Sequence, residues 1–252
     1  MKLAAMEGLY NGTERASIVA IGYVKEGEDA VGIRLPGLLS LLATRHIDGF
    51  VPGINDLLNG NEKHGIPSAD ERMSSGRIAI QALKDYRDAA ATGNLELANY
   101  HKEILEANFH NFGYGYFENK GDLVPPVKLT FYAFHAMISL GIYFILFTFM
   151  MLILSLKDKL QKSRLLLKLS IVTVFLGYLA TLLGWVVAEL GRQPWAIQDI
   201  LPVHVSISSI SAGNVKTTFF IFVALFTSLL IAELGIIFRL IKKGPNLKEE
   251  EE

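Results

Sequence analysis

The sequence predicts an all-α membrane protein, with three transmembrane helices preceded by a mostly helical extracytoplasmic region. Three observations predict it. The chain of 252 residues is 51% hydrophobic, and its mean hydropathy of +0.33 is too high for a soluble domain of this length. The apolar residues are unevenly spread: 1–127 is mixed and polar, whereas 128–241 holds three long apolar runs. Basic residues cluster at one end of those runs, as they do on the cytoplasmic side of membrane helices.

Composition removes several functions. The net charge of −1 leaves no basic footprint for nucleic acid. The absence of cysteine excludes disulfides, thiolate metal sites, iron–sulfur clusters and haem attached through thioethers. There are no internal repeats and no Gly-rich phosphate loop.

In chain order, "SIVAIGYV" (17–24) reads as a short strand, and "NGNEKHGIPS" (59–68) as a loop. Apolar residues at helical spacing predict helices over 69–91 and 94–109. "GYGYFENKGDLVPP" (113–126) is a second loop, closed by Pro125 and Pro126.

The apolar runs are Leu129–Leu156 with His135, Leu165–Glu189 with Lys168, and Thr217–Ile241 with Glu233. Each meets the requirement of about 20 residues for a spanning helix. In lipid such a segment satisfies its backbone only as a helix. Glu233 is costly in lipid and is expected to face protein.

The linker after the first run carries Lys157, Lys159, Lys162 and Arg164 against Asp158. The flank of the third run carries Arg239, Lys242, Lys243 and Lys248. Both are therefore expected in the cytoplasm. The organisation that follows is an outer region 1–127, a helix 128–156, a cytoplasmic loop 157–164, a helix 165–189, an outer loop 190–216, a helix 217–241 and a cytoplasmic charged tail 242–252. The "KEEEE" of that tail is expected to be disordered. Glu7 interrupts any apolar stretch near Met1, so no signal peptide is expected. An outer N-terminal region then implies an upstream part, either in a longer protein or as a separately encoded partner.

Several residues are candidates for chemistry. Met137 lies about 13 Å along the first membrane helix. Its thioether is a packing group or an iron ligand. His135 is polar in lipid and a functional candidate, about 200° around the helix from Met137, so the two do not share one metal from one face. In "GWVVAELGRQPW" (184–195), Glu189 and Arg192 stand three apart, a spacing that suits an ion pair. A carboxylate also ligates iron, and an arginine also neutralises an anionic cofactor group. Trp185 and Trp195 fit an interfacial aromatic belt, and Pro194 ends the helix.

Lys2 and Glu7 would be about 140° apart on a helix, not a same-face pair. They are either a solvated terminus or two groups that reach a small carbonyl or hydroxyl compound from different sides and remove its proton. The other histidines (His46, His64, His101, His110, His204) lack ligand-like spacing and read as surface or loop residues.

Five stretches in order, "KLAAMEGLY", "LLATRHIDGFVPGINDLL", "FYAFHAMISLG", "GWVVAELGRQPWAIQDILP" and "SSISAGNV…LLIAELG", resemble the C-terminal half of subunit I of cytochrome bd quinol oxidases. The resemblance covers residues 1–241. It implies part of a terminal respiratory oxidase that passes electrons from quinol through haems to oxygen. It also implies a low-spin haem b, a high-spin haem b, and a haem d or further haem b, all shared with a partner chain.

By motif, the resemblance gives Lys2 and Glu7 a quinol-interacting role, so 1–127 becomes a quinol loop. Met137 becomes the axial ligand of the low-spin haem b, and Glu189 that of the high-spin haem b. Trp185 and Arg192 become their neighbours. His135 departs from the family pattern, which has Arg there, and is expected to bond a haem propionate.

The implied partners are an N-terminal half of subunit I carrying the histidine ligands, subunit II and small accessory subunits, all in a prokaryotic inner membrane. Without them the chain is not expected to be active. Two rival readings are a non-catalytic haem-binding or assembly subunit, and a membrane receptor with an outer ligand-binding region.

Overall fold

Short polar caps and glycine turns set the boundaries of the N-terminal elements, and long apolar runs set the rest. The computed structural model describes residues 1–244. The charged tail from residue 245, with Lys248, lies outside the described residues. Two units, Met1–Ser206 and Ile207 onward, are described separately.

The first unit opens with α1 (Lys2–Glu7), followed by strands β1 (Ile18–Tyr23) and β2 (Val31–Leu35). These pair antiparallel, Ile21 opposite Ile33 and Tyr23 opposite Val31, with a bulge between Val19 and Ile21. The strand expected over 17–24 is present. Its partner β2 is not among the expected elements, although Val31, Ile33 and Leu35 alternate with Gly32 and Arg34; the run is only five residues long and exposed throughout. Helices α2 (Leu38–Thr44) and α3 (Ile54–Asn59) follow.

Helix α4 (Ala69–Ala91) begins with a reciprocal cap. Ser68 Oγ accepts from the Glu71 N–H at 3.2 Å, and Glu71 Oε2 accepts from the Ser68 N–H at 2.9 Å. Helix α5 (Leu95–Asn108) starts at Asn94, whose Oδ1 accepts from the Leu97 N–H. The two helices form a hairpin, and 3-10 turns continue α5 through Phe109–Tyr116. The two segments read as loops therefore hold short 3-10 helices, Glu62–His64 in the first and Lys120–Leu123 in the second.

Helix α6 (Val127–Leu156) contains the first apolar run and α7 (Arg164–Leu190) the second. They pack antiparallel. Met137 meets Gly184, and Tyr143 shares a 2.7 Å hydrogen bond with Thr173. Strands β3 (Trp195–Ile197) and β4 (Leu201–Pro202) form a small hairpin after α7.

Three cores hold the first unit together, the smallest of them made of Ala16, Leu39 and Val51. One joins Ala4, Ala5, Val19, Ile54, Val127 and Phe131 around the head of α6. Another joins Met73, Tyr114, Phe117, Leu123 and Trp195. Trp195 corrects an expectation. It is 3% exposed and packed edge-on against Tyr114 and Phe117, so it is a core residue rather than part of an interfacial belt. Burying an indole of this size stabilises the loop after α7 far more than one surface anchor would.

The second unit contains α8 (Ala212–Lys243), capped by Ser211, whose Oγ accepts from the Asn214 N–H. Helices α6, α7 and α8 are each long and apolar enough to cross a membrane. The protein is an all-α membrane protein apart from two small hairpins.

Candidate functional site

Helix α1 is short because Gly8 ends it. At φ 59° Gly8 takes the left-handed conformation, and its N–H reaches back to the carbonyls of Ala4 and Ala5. A side chain there would also press on Val24, Ala30 and Phe131. Ala4 and Ala5 face the core, which turns Glu7 inward and leaves Lys2 exposed.

Glu7 is 4% exposed, and its Oε2 accepts from the Val19 N–H at 3.3 Å. Burial pushes its carboxyl above the ordinary carboxylate value, while the Val19 N–H and the charge of His135 pull the other way.

His135 comes to the same residue from α6. Its Nε2 lies 2.7 Å from the Val19 carbonyl and its Nδ1 2.8 Å from the Phe131 carbonyl. The ring lies against Phe131, centroids 4.0 Å apart. Phe131 is fully buried and in turn meets Gly8. Glu7 and His135 thus both bond the backbone of one residue, Val19, the first at its N–H and the second at its C=O.

Lys2 points the other way along α1, to the end of α7. A Cβ at Gly191 would lie 3.0 Å from its Cγ and 3.1 Å from its Cε, so the lysine stem crosses directly over that glycine. The last turn of α7 exposes the negative end of its dipole, a favourable place for an ammonium. The turn also carries the expected ion pair of Glu189 and Arg192. Both side chains are more than one-third exposed, so the pair contributes little stability.

Met137 is half-buried between α6 and α7, where a Cβ at Gly184 would stand 3.2 Å from its sulfur. Trp185, next to that glycine, is 64% exposed. Among the described residues no three His, Cys, Asp or Glu side chains converge as a metal cluster.

A family profile described as "Cytochrome bd terminal oxidase subunit I" matches residues 1–245. The chain belongs to the cytochrome bd terminal oxidase subunit I family. Among curated members, cytochrome bd-II ubiquinol oxidase subunit 1 of Escherichia coli (strain K12) is 29% identical over 272 residues, covering 100% of this chain and 50% of that protein. Cytochrome bd ubiquinol oxidase subunit 1 of Bacillus subtilis (strain 168) is 33% identical over 126 residues, covering 50% of this chain and 27% of that protein. The chain spans about half the length of the Escherichia coli relative.

In this bd-family chain, α1 brings the candidates into two groups. Glu7 and His135 meet at the head of α6, and Lys2 reaches the turn that holds Glu189 and Arg192. Met137 stands apart, facing α7. This is the divergence from His135 that a two-residue helical offset demands.

Sequence reasoning missed Val19 and Gly191, because neither type carries chemistry of its own. It also missed a polar chain that ties the bd-family head region to the loop after α7. There Arg72 Nη1 donates to the Tyr114 hydroxyl at 3.2 Å, and that hydroxyl donates to Asp199 Oδ1 at 2.8 Å. Burial, then the bond to Asp199, pushes the Tyr114 phenol up to about 12. No local spacing announces partners 85 residues apart.

A cleft of about 620 Å³ opens at the head of α6, lined by Tyr10, Ile54, Leu58, Pro125, Val127 and Lys128 among others. None of the seven candidate residues lines it. The Glu7 carboxyl lies instead beneath the adjacent core.

Proposed function

We propose that this chain is part of a bd-type quinol:oxygen oxidoreductase, contributing the quinol site and residues that would hold the iron of two b-type haems, Met137 one and Glu189 the other. The observation that carries the reading is the placement of Glu7: a carboxyl buried at 4%, on the same short helix as Lys2, beside the head of α6. The motif match of both residues and the ubiquinol oxidase names of the relatives support it.

Quinol oxidation releases two protons and two electrons. A carboxylate whose affinity for protons is raised by burial suits the first task, because it accepts a proton more readily than an exposed one and then returns it to water. The exposed Lys2 ammonium suits binding of the quinol, as a donor to its oxygen from the opposite side.

The donors available fit haem as single ligands. Met137 supplies a thioether and Glu189 a carboxylate, both capable of binding iron, and among the described residues no three His, Cys, Asp or Glu side chains converge around either. The remaining ligands then come from an N-terminal half of subunit I carrying histidines, with subunit II and small accessory subunits completing the complex. When bound, the haems supply one-electron acceptance and dioxygen reduction, with haem d or a further haem b as the third. Arg192 offers a counter-charge for haem carboxylates and gives up its bond to Glu189 in doing so. Trp185, exposed beside Gly184, offers an indole face for packing against a macrocycle.

The basic link between α6 and α7 and the basic end of α8 support a cytoplasmic location for both. The region 1–127 then lies outside a prokaryotic inner membrane, and quinol protons leave on that side.

Quinol-dependent oxygen uptake by the purified complex tests the reading. Glu7→Gln slows uptake and leaves the haem spectrum intact. Unchanged uptake removes Glu7 from the site. A complex with haem but no uptake in the wild type favours a haem-binding or assembly subunit.

A further inference from the structure

We infer that His135 is a positioning residue for the Glu7 carboxyl, acting through the Val19 backbone, rather than a partner of a haem propionate. The inference rests on the reading of Glu7 as the quinol carboxyl.

The backbone of one residue, Val19, links the two side chains across its Cα. The Val19 N–H donates to Glu7 Oε2 at 3.3 Å, and the Val19 carbonyl takes the Nε2 edge of His135 at 2.7 Å. Position 19 adjoins the bulge of β1, where the ladder with β2 loses register between Val19 and Ile21. The residue left without a partner is Ala20, and Val19, paired with Arg34, stands beside it where the ladder is disrupted. His135 adds a restraint there from α6, a helix of 30 residues.

The ring itself is fixed on three sides. Nδ1 faces the carbonyl of Phe131 one turn back at 2.8 Å, and the imidazole lies on the Phe131 ring. Phe131 is 0% exposed and wedged against Gly8, the residue after Glu7. The chain of contacts Glu7–Val19–His135–Phe131–Gly8 closes on itself. Any displacement of His135 is therefore felt at α1 from two directions.

Each ring nitrogen faces a backbone carbonyl, to which a neutral ring donates at one edge and a protonated ring at both. A carbonyl only accepts, so a proton on either nitrogen has its acceptor within this chain. An external carboxylate would have to displace Val19 or Phe131 from the ring. An arginine at this position would have donors to spare after bonding Val19; a histidine has none. His135 therefore braces the quinol carboxyl instead of reaching outward.

Two readouts on the assembled oxidase test this independently. The first is the infrared C=O stretch of protonated Glu7, identified by its loss in Glu7→Gln. The second is the quinol KM, read beside the reduced-minus-oxidised haem spectrum. Asn at position 135 is polar but too short to span from α6 to Val19. His135→Asn shifts the Glu7 band and raises the quinol KM about tenfold, the equivalent of one lost hydrogen bond near 1.4 kcal/mol. The low-spin haem spectrum stays unchanged. Gln is long enough to donate to Val19, so His135→Gln restores the band and most of the KM.

A shifted haem spectrum with an unmoved Glu7 band and unmoved KM overturns the inference and returns His135 to the haem. A Glu7 band that moves while Glu7→Gln itself leaves quinol oxidation untouched upholds the positioning and removes the quinol role of Glu7 instead.

Discussion

Tyr114 donates its hydroxyl proton to Asp199 at 2.8 Å, joining the 3-10 stretch after α5 to the loop after α7. Arg72 donates to the same oxygen and lies over the Tyr114 ring, 5.6 Å from its centroid. The head of the protein and the end of α7 are thereby held together by a chain of polar groups under Trp195.

Tyr114→Phe should loosen that chain. It leaves Asp199 Oδ1 with Gln198 alone and takes the Tyr114 acceptor from Arg72 Nη1, which costs about 1–3 kcal/mol. Thermal unfolding of the detergent-solubilised complex checks it, and an unchanged midpoint would show the link to be idle. The pH dependence has a definite sign. The folded phenol, at about 12, is above its ordinary 10.0, so the bond's contribution is complete below pH 10 and is lost as pH rises toward 12. Tyr114→Phe should abolish that part of the alkaline unfolding.

Glu7 has the opposite stability balance from a typical salt-bridged carboxylate. Burial raises its folded value above the unfolded one, so the neutral form is favoured and stability is lost as pH rises through the folded value. Glu7→Gln should therefore unfold at a temperature no lower than wild type at neutral pH, with a flatter pH profile, while quinol oxidation falls. A variant markedly less stable at pH 7 would mean that the carboxylate is stabilised by a partner.

Gly191→Ala tests the seat of Lys2. A methyl there would lie 2.7 Å from the Val187 carbonyl and about 3 Å from the lysine stem, and the flexible stem is the part able to yield. The expected outcome is a several-fold higher quinol KM with normal haem bands. The same substitution in a Lys2→Ala background should add nothing. Equal effects in both backgrounds would show that Gly191 acts on α7 and not on Lys2.

The membrane helices, the α4–α5 hairpin and strand β1 were legible because apolar period and length encode them locally. So was the pairing of Glu189 with Arg192, three residues apart on one helix face. The motifs of Lys2, Glu7 and Met137 were legible as a resemblance, and their opposite orientations followed from helical angles. What joins them was not legible. Val19 positions Glu7 through its backbone, which its side chain does not advertise. Gly191 and Gly184 act by leaving room for Lys2 and Met137. Trp195 looked like an interfacial anchor because an indole after a membrane helix usually is one. Its burial depends on Tyr114 and Phe117, about 80 residues earlier, whose arrival no local pattern announces.

The most direct measurement is the reduced-minus-oxidised visible spectrum of the purified native complex, taken for wild type and for Met137→Leu. Leu conserves the packing volume against Gly184 and removes the sulfur. The account predicts b-type bands in the wild type, and loss or displacement of the low-spin band in the variant with the high-spin features kept. A wild-type complex without b- or d-type bands, or a Met137→Leu spectrum identical to wild type, would contradict it.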